Sequence, residues 1–192
     1  MRLLLGSLFA LIVAAAVGLG TTWLVLTRGT AFGAVPIGAW VAWPKSGTRD
    51  VDPYTRAAFA RTGELPVGSG DGVAFFARTD DNGRPLDGRC DVLISGTTPQ
   101  ARFWTLTLYD PQGRLIFNSI DRQGFTSQEV LRRADGSFDI AVAPRIRSGN
   151  WLPTNGVDSY VLALRLYDSP VGVATRAARE APMPSVTVQS CP

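Results

Sequence analysis

The run Arg102-Phe103-Trp104-Thr105-Leu106-Thr107-Leu108-Tyr109-Asp110 alternates strictly: extended, it sets Trp104, Leu106 and Leu108 on one face and Phe103, Thr105, Thr107 and Tyr109 on the other. The later run Tyr160-Val161-Leu162-Ala163-Leu164-Arg165-Leu166-Tyr167 does the same, with Leu162, Leu164 and Leu166 opposed to Val161, Ala163, Arg165 and Tyr167. Leucine faces of this kind are expected to meet in a common core, which makes the body a layered β structure.

Outward from these two strands the same grammar continues. Short period-two runs at 73–79, 90–95, 115–118, 138–143 and 186–190 are read as further strands, with 102–109 and 160–167 between them. Their punctuation is specific: Asn82-Gly83 suits a tight turn, Asp110-Pro111-Gln112-Gly113 a type I turn, and Asp135-Gly136 precedes another strand. Successive strands are expected to pair antiparallel. One soluble helix is marked, capped by Asp52, with Pro53 at its first position, Tyr54 to Arg61 continuing and Gly63 ending it. No internal repeat is apparent. The fold class is therefore mainly β, an antiparallel β-sandwich or jelly-roll-like domain with one short N-terminal helix.

Ahead of that body, residues 3–26 carry no charge, and as a helix they extend about 36 Å at 1.5 Å per residue. That length crosses a hydrocarbon core of roughly 30 Å with some tilt, so the lipid bilayer is an expected partner. The alternative is a cleaved signal peptide ending at Ala14-Ala15-Ala16, against which Val17 to Leu26 stays apolar. The organisation expected is a transmembrane anchor at 1–28, a juxtamembrane linker or first strand at 29–50, and a periplasmic β-sandwich at 51–192. The cysteines bear on the address. Cys90 and Cys191 are the only two, and in an oxidising compartment a bridge across 101 positions is worth roughly 4 to 5 kcal/mol in the chain-entropy model. Two unrelated buried thiols are the alternative. A bridge would tie down the penultimate residue and favours a domain outside the cytoplasm, giving a single-pass inner-membrane protein facing the periplasm.

Composition closes several chemistries. With no histidine, Ser-His-Asp and Cys-His nucleophile systems and His-ligated zinc are excluded. The one lysine, Lys45, has no Ser-x-x-Lys before it, and two cysteines cannot hold an iron-sulfur cluster. Without Arg2 and Arg28 the charges stand at 17 positive against 16 negative, interspersed, which argues against nucleic acid as a partner. Gly68-Ser69-Gly70-Asp71-Gly72 leads into a strand and not a helix, so it is no phosphate turn. Asp80-Asp81-Asn82-Gly83 fails as a calcium loop, because Arg78 and Arg89 fall at the terminal ligand positions. No cofactor and no metal site is expected.

The strand Arg102 to Asp110, the string Gly149-Asn150-Trp151-Leu152-Pro153 and the run Leu164-Arg165-Leu166-Tyr167 closely resemble the bacterial domain-of-unknown-function 1214 family. Asp52-Pro53-Tyr54-Thr55-Arg56-Ala57 and the Cys90 and Cys191 pair are similar to its short, membrane-anchored branch. The resemblance covers roughly Trp40 to Cys191 and implies a jelly-roll-like domain, elsewhere often fused to a second uncharacterised domain. It brings no established catalytic residues.

Two places are candidates for binding. One is the polar strand face with Thr105, Thr107, Tyr109, Arg165 and Tyr167, where a guanidinium among hydroxyls suits a carboxylate or phosphate; an ordinary half-wet sheet face looks the same. The other is the loop with Asn118, Asp121 and Arg122, together with Asn150 and Trp151. Asn and Asp there also suit plain turns, and Trp151 a plug under a loop. The function expected is a binding or interaction module for an envelope protein or small-molecule ligand. The alternative is an envelope hydrolase using Asp, Tyr and Arg, with a divalent cation where the chemistry needs one.

Overall fold

The computed structural model describes residues 2–28, 33–62, 68, 70–170 and 181–192. Helix α1 (Arg2–Arg28) is exposed from residue 2 to residue 27 except at Val25 and Leu26. Its length and composition suffice to cross a membrane, a property that signal sequences share. Helix α2 (Pro53–Thr62) starts where Asp52 Oδ1 accepts the backbone N–H groups of Tyr54 and Thr55, both at 3.0 Å. The expected stop at Gly63 lies outside the described residues.

Among the described residues ten strands follow in chain order, β1 (Val35–Ile37), β2 (Trp40–Ala42), β3 (Gly72–Ala77), β4 (Asp91–Gly96), β5 (Phe103–Tyr109), β6 (Gly124–Thr126), β7 (Phe138–Ala143), β8 (Asn150–Pro153), β9 (Val161–Tyr167) and β10 (Ser185–Ser190). They form a six-stranded sheet in the order β1-β2-β3-β9-β5-β6 and a four-stranded sheet in the order β10-β4-β7-β8. The fold is thus mainly β with two sheets, as the alternation predicts. Between them Trp40, Phe75, Leu106 and Leu164 meet Ile94, Phe138, Ile140 and Leu152 in one fully enclosed core. Each such aliphatic or aromatic burial contributes about 1.5–3 kcal/mol.

Two expectations need correcting. Among the ten strands only β1–β2, β2–β3 and β5–β6 are successive antiparallel pairs: β4 lies between β7 and β10, β9 between β3 and β5, and β7 pairs with β8 in parallel. The run 115–118 is not a strand. Leu115 makes one antiparallel bridge to Tyr109, Ile116 enters the core, and Leu115 and Phe117 stay exposed because no neighbouring strand continues the ladder. Conversely β1, β2, β6 and β8 arise where no separate strand is expected beyond an undecided first strand in 29–50; three or four residues each are too few for a period to show.

Cys90 and Cys191 are joined by a disulfide that fastens the end of β10 beside the start of β4. The start of β10 is held as well: the Trp40 indole N–H donates to the Pro184 carbonyl at 2.7 Å, and Asp81 accepts the backbone N–H groups of Val186 at 2.8 Å and Ala39 at 3.0 Å. Asp81 thereby links both sheets.

The turns Asp80-Asp81-Asn82-Gly83-Arg84 and Asp110-Pro111-Gln112-Gly113-Arg114 share one design. In each, the aspartate N–H reaches the arginine carbonyl at 2.8 Å and the glycine N–H reaches the aspartate carbonyl. The carboxylate accepts two backbone N–H groups and the arginine side chain. Gly83 and Gly113 both sit at φ 80°, a left-handed backbone that glycine adopts without strain.

Candidate functional site

The outer face of the six-stranded sheet carries Thr105, Thr107, Tyr109, Arg165 and Tyr167, all half-buried. Register fixes their neighbours. Arg165 lies between Ala74 and Thr105, Ala163 between Phe76 and Thr107, and Tyr109 opposite Val161. From these positions Arg165 and Tyr109 reach toward each other: an Arg165 Nη1–H donates to the Tyr109 hydroxyl at 3.1 Å, and the guanidinium carbon stands 5.2 Å from the phenol ring centre. The small side chains of Ala163 and Thr107 occupy the rows between them, and Ala163 is wholly enclosed although it faces away from the core. Gly124 flanks Thr107, and a side chain there would collide with the Leu106 carbonyl, so the ladder closes tightly at this edge. Tyr167 tilts against Phe103 at 5.9 Å.

Arg165 is half-buried where the other arginines of described exposure are exposed, and it shares with Arg49, Arg56, Arg78, Arg122, Arg132 and Arg145 the lack of an ion pair among the described residues. Arg84, Arg89, Arg102, Arg114, Arg133 and Arg147 each pair with an aspartate, whereas no carboxylate stands within ion-pair distance of Arg165 among the described residues. A guanidinium offers five donors, and the single bond to Tyr109 leaves its other N–H groups directed elsewhere. The same face is not uniformly wet. Phe76, Val161 and Ala163 form a small second cluster with Trp43, Ala74 and Tyr109, and Trp43 meets Phe59 of α2 edge-on at 6.1 Å. The helix thus bounds the strip, and its walls are aromatic.

The second candidate group is dispersed. Asn118 bonds within its own loop, donating to the Arg122 carbonyl at 2.7 Å and accepting the Arg122 N–H at 3.1 Å. Asp121, at φ 53°, accepts from the Gln123 side chain, and the Arg122 guanidinium rests 5.1 Å from the Phe125 ring centre. Asn150 is buried on β8, where it accepts the Leu131 N–H at 2.8 Å and donates to the carbonyls of Leu131 and Asp139. It behaves as a surrogate peptide group joining three segments. The Trp151 indole N–H donates to the Ala143 carbonyl at 3.1 Å. Asn150 and Trp151 belong to the four-stranded sheet and Thr105 through Tyr167 to the six-stranded one, so only the Thr105, Thr107, Tyr109, Arg165 and Tyr167 group is brought together on one surface.

The carboxylates near these places are committed to local structure. For Asp110 the Arg114 backbone N–H is the largest influence, and with the Arg114 side chain it holds the carboxyl below its usual range. Burial works to raise Asp80, but the Arg84 N–H and guanidinium and the Asn82 N–H outweigh it and the net shift is downward. The sequence reading passed over Tyr160: its hydroxyl is buried with no hydrogen-bond partner among the described residues, and burial, then the charge of Asp87, pushes the phenol upward. A tyrosine opening a leucine strand gives no sign of this, because its partner would have to come from a distant loop. Among the described residues no three acidic or cysteine side chains gather in a way that could hold a metal ion.

Two sheets with a flanking helix define a mainly β domain whose outer face carries a hydroxyl-and-arginine strip. The family model described as protein of unknown function, DUF1214, matches residues 71–171, more than half of the chain, and the chain belongs to that family. Among solved structures it is similar to the VPA0106 protein from Vibrio parahaemolyticus, with a TM-score of 0.56 and 20% identity over 73% of this chain and 36% of that one. An uncharacterised protein from Burkholderia cenocepacia aligns with a TM-score of 0.40 and 17% identity over 93% of this chain and 53% of that one. The chain therefore spans about a third to a half of the length of these proteins. No curated protein matches it.

Proposed function

We propose that this chain is a short, membrane-anchored member of its family, a single-pass inner-membrane protein whose β-sandwich faces the periplasm and binds an anionic group on an envelope protein or small molecule. The observation that carries the binding role is Arg165, half-buried on an aromatic wall, flanked by Thr105 and Thr107 and without an ion-pair partner among the described residues. The address is supported by the apolar α1 and by the disulfide, which persists in oxidising compartments. The hydrolase alternative gains nothing from Asp110 or Asp121, whose oxygens serve their own turns.

The test has two arms. Alkaline phosphatase fused at the C-terminus should be active and a green fluorescent reporter there dark; the reverse pattern overturns the address. A photo-crosslinking residue in place of Thr105, in intact cells, should give one discrete adduct that Arg165→Ala removes. Adduct formation indifferent to Arg165→Ala, or none at all, overturns the binding role of this face.

A further inference from the structure

A further cationic surface lies beside α2, and its position relative to α1 indicates what it meets. α1 and α2 approach within 8 Å between Cα atoms, and the side chains of α1 that lose exposure are Val25 and Leu26 near its C-terminal end. A helix of 27 residues is about 40 Å long and exceeds a hydrocarbon core of roughly 30 Å, so its last turns stand among headgroups. The element packed there shares that depth. Between α2 and the turn before it runs a groove of about 590 Å³ lined by Ser46, Thr48, Arg49, Val51, Arg56 and Phe59.

Two arginines and, among the described residues, no carboxylate line this groove, although Asp50 and Asp52 stand near Arg49 in sequence. Arg49 and Arg56 are exposed and make no ion pair among the described residues; the Arg56 guanidinium reaches only the Arg49 carbonyl, at 3.5 Å. Asp52, between them in sequence, spends its Oδ1 on the cap of α2. Lys45 adds a further exposed cation on the same turn. The groove beside Cys191, of about 400 Å³, differs in kind, because its Arg89 and Arg147 are already paired with Asp87 and Asp91. Phe59 and Val51 line the α2 groove together with the two arginines, a mixed apolar and cationic lining that is the complement of a phosphate at the top of an acyl chain.

We propose that the groove between residues 46–51 and α2 seats the phosphate-bearing headgroup of an anionic membrane lipid, orienting the sandwich on the bilayer. The inference rests on the anchored reading of α1. Its probe is phosphatidylglycerol, and the experiment is native mass spectrometry of the full chain released from nanodiscs of equimolar phosphatidylglycerol and phosphatidylcholine. The wild type should retain phosphatidylglycerol preferentially, Arg49→Gln with Arg56→Gln should lose that preference by roughly 5-fold per arginine, and Arg145→Gln should keep it. Equal retention of the two lipids, or a preference unmoved by the double replacement, overturns the proposal. So does displacement of phosphatidylglycerol by millimolar inorganic phosphate, which would make the site one for free anion. An alkaline carbonate wash separates the two levels: a chain released by it defeats the anchored reading and this inference together, whereas a chain that stays with the membrane without lipid preference defeats this inference alone. The oxidised state of Cys90 and Cys191, checked by thiol alkylation, verifies that the variants fold.

Discussion

The turns at 80–84 and 110–114 are nearly the same object in two different places. Both run Asp-x-x-Gly-Arg, both fold over one carboxylate, and both feed a core residue two positions later, Leu86 and Ile116. Their surroundings differ. The Asp80 side chain is completely enclosed, and its neighbour Asp81 bonds to β10 and to the turn between β1 and β2, whereas the Asp110 side chain keeps 20% of its exposure and leads into the exposed Leu115 and Phe117. A local motif therefore sets the shape of a turn, and the tertiary setting decides how much stability depends on it.

The largest expected effect comes from cutting the tether behind the first turn. Replacing both Cys90 and Cys191 with serine should lower the unfolding free energy by about 4–5 kcal/mol in urea titrations. Hydrogen exchange at the Asn82 and Val186 amides should quicken more than at Gln112, since β10 is the partner that Asp81 holds; equal acceleration would mean the two turns are not differently tethered. Next, Asp80→Ala should cost about 2–4 kcal/mol, because enclosed donors and a charge-assisted bond lose their acceptor. Asp110→Ala, where water can replace the carboxylate, should cost clearly less, and similar unfolding midpoints for the two would break the comparison.

A third effect is pH dependence. The folded Asp80 carboxyl lies below its ordinary value of 3.8, so its stabilisation is complete above that value and is lost as pH falls through the folded pKa. Urea midpoints of the wild type should fall more steeply below about pH 4 than those of Asp80→Asn; parallel curves would show that Asp80 is not the group titrating. The smallest effect is the control for shared geometry. Gly83→Ala and Gly113→Ala each force a left-handed backbone on alanine and should cost about 1 kcal/mol apiece, alike in both turns. A large inequality there would show that the two backbones are not equivalent.

Much of this could be read from residue order, and the failures have physical causes. The strands around Trp104 and Leu164 were legible because each sets large side chains on one face for seven residues, long enough for alternation to show, although in β9 Val161 and Ala163 of the other face are buried as well. β8 was visible only as the string Gly149 to Pro153, since its parallel pairing with β7 leaves no hairpin signal. Leu115 to Phe117 alternates like a strand and buries Ile116 as one would, but a ladder needs a partner, and the chain supplies one bridge. At the site, sequence placed Thr105, Thr107 and Tyr109 on one face with certainty, whereas the reach of Arg165 over Ala163 to the Tyr109 ring depends on the β5 and β9 register. Asn150 carried no mark of its three bonds to Leu131 and Asp139.

Residue order by itself determined the apolar N-terminal helix, the two leucine-faced strands, the aspartate-led turns and the lack of imidazole chemistry, because each follows from neighbours a few positions apart. Only the tertiary structure decided which strands adjoin, that Asp80 is enclosed and Asp110 is not, and that among the described residues Arg165 and Arg56 meet no carboxylate while six other arginines do. Those facts depend on contacts between segments tens of residues apart, where the free energy of packing two sheets outweighs any preference written locally.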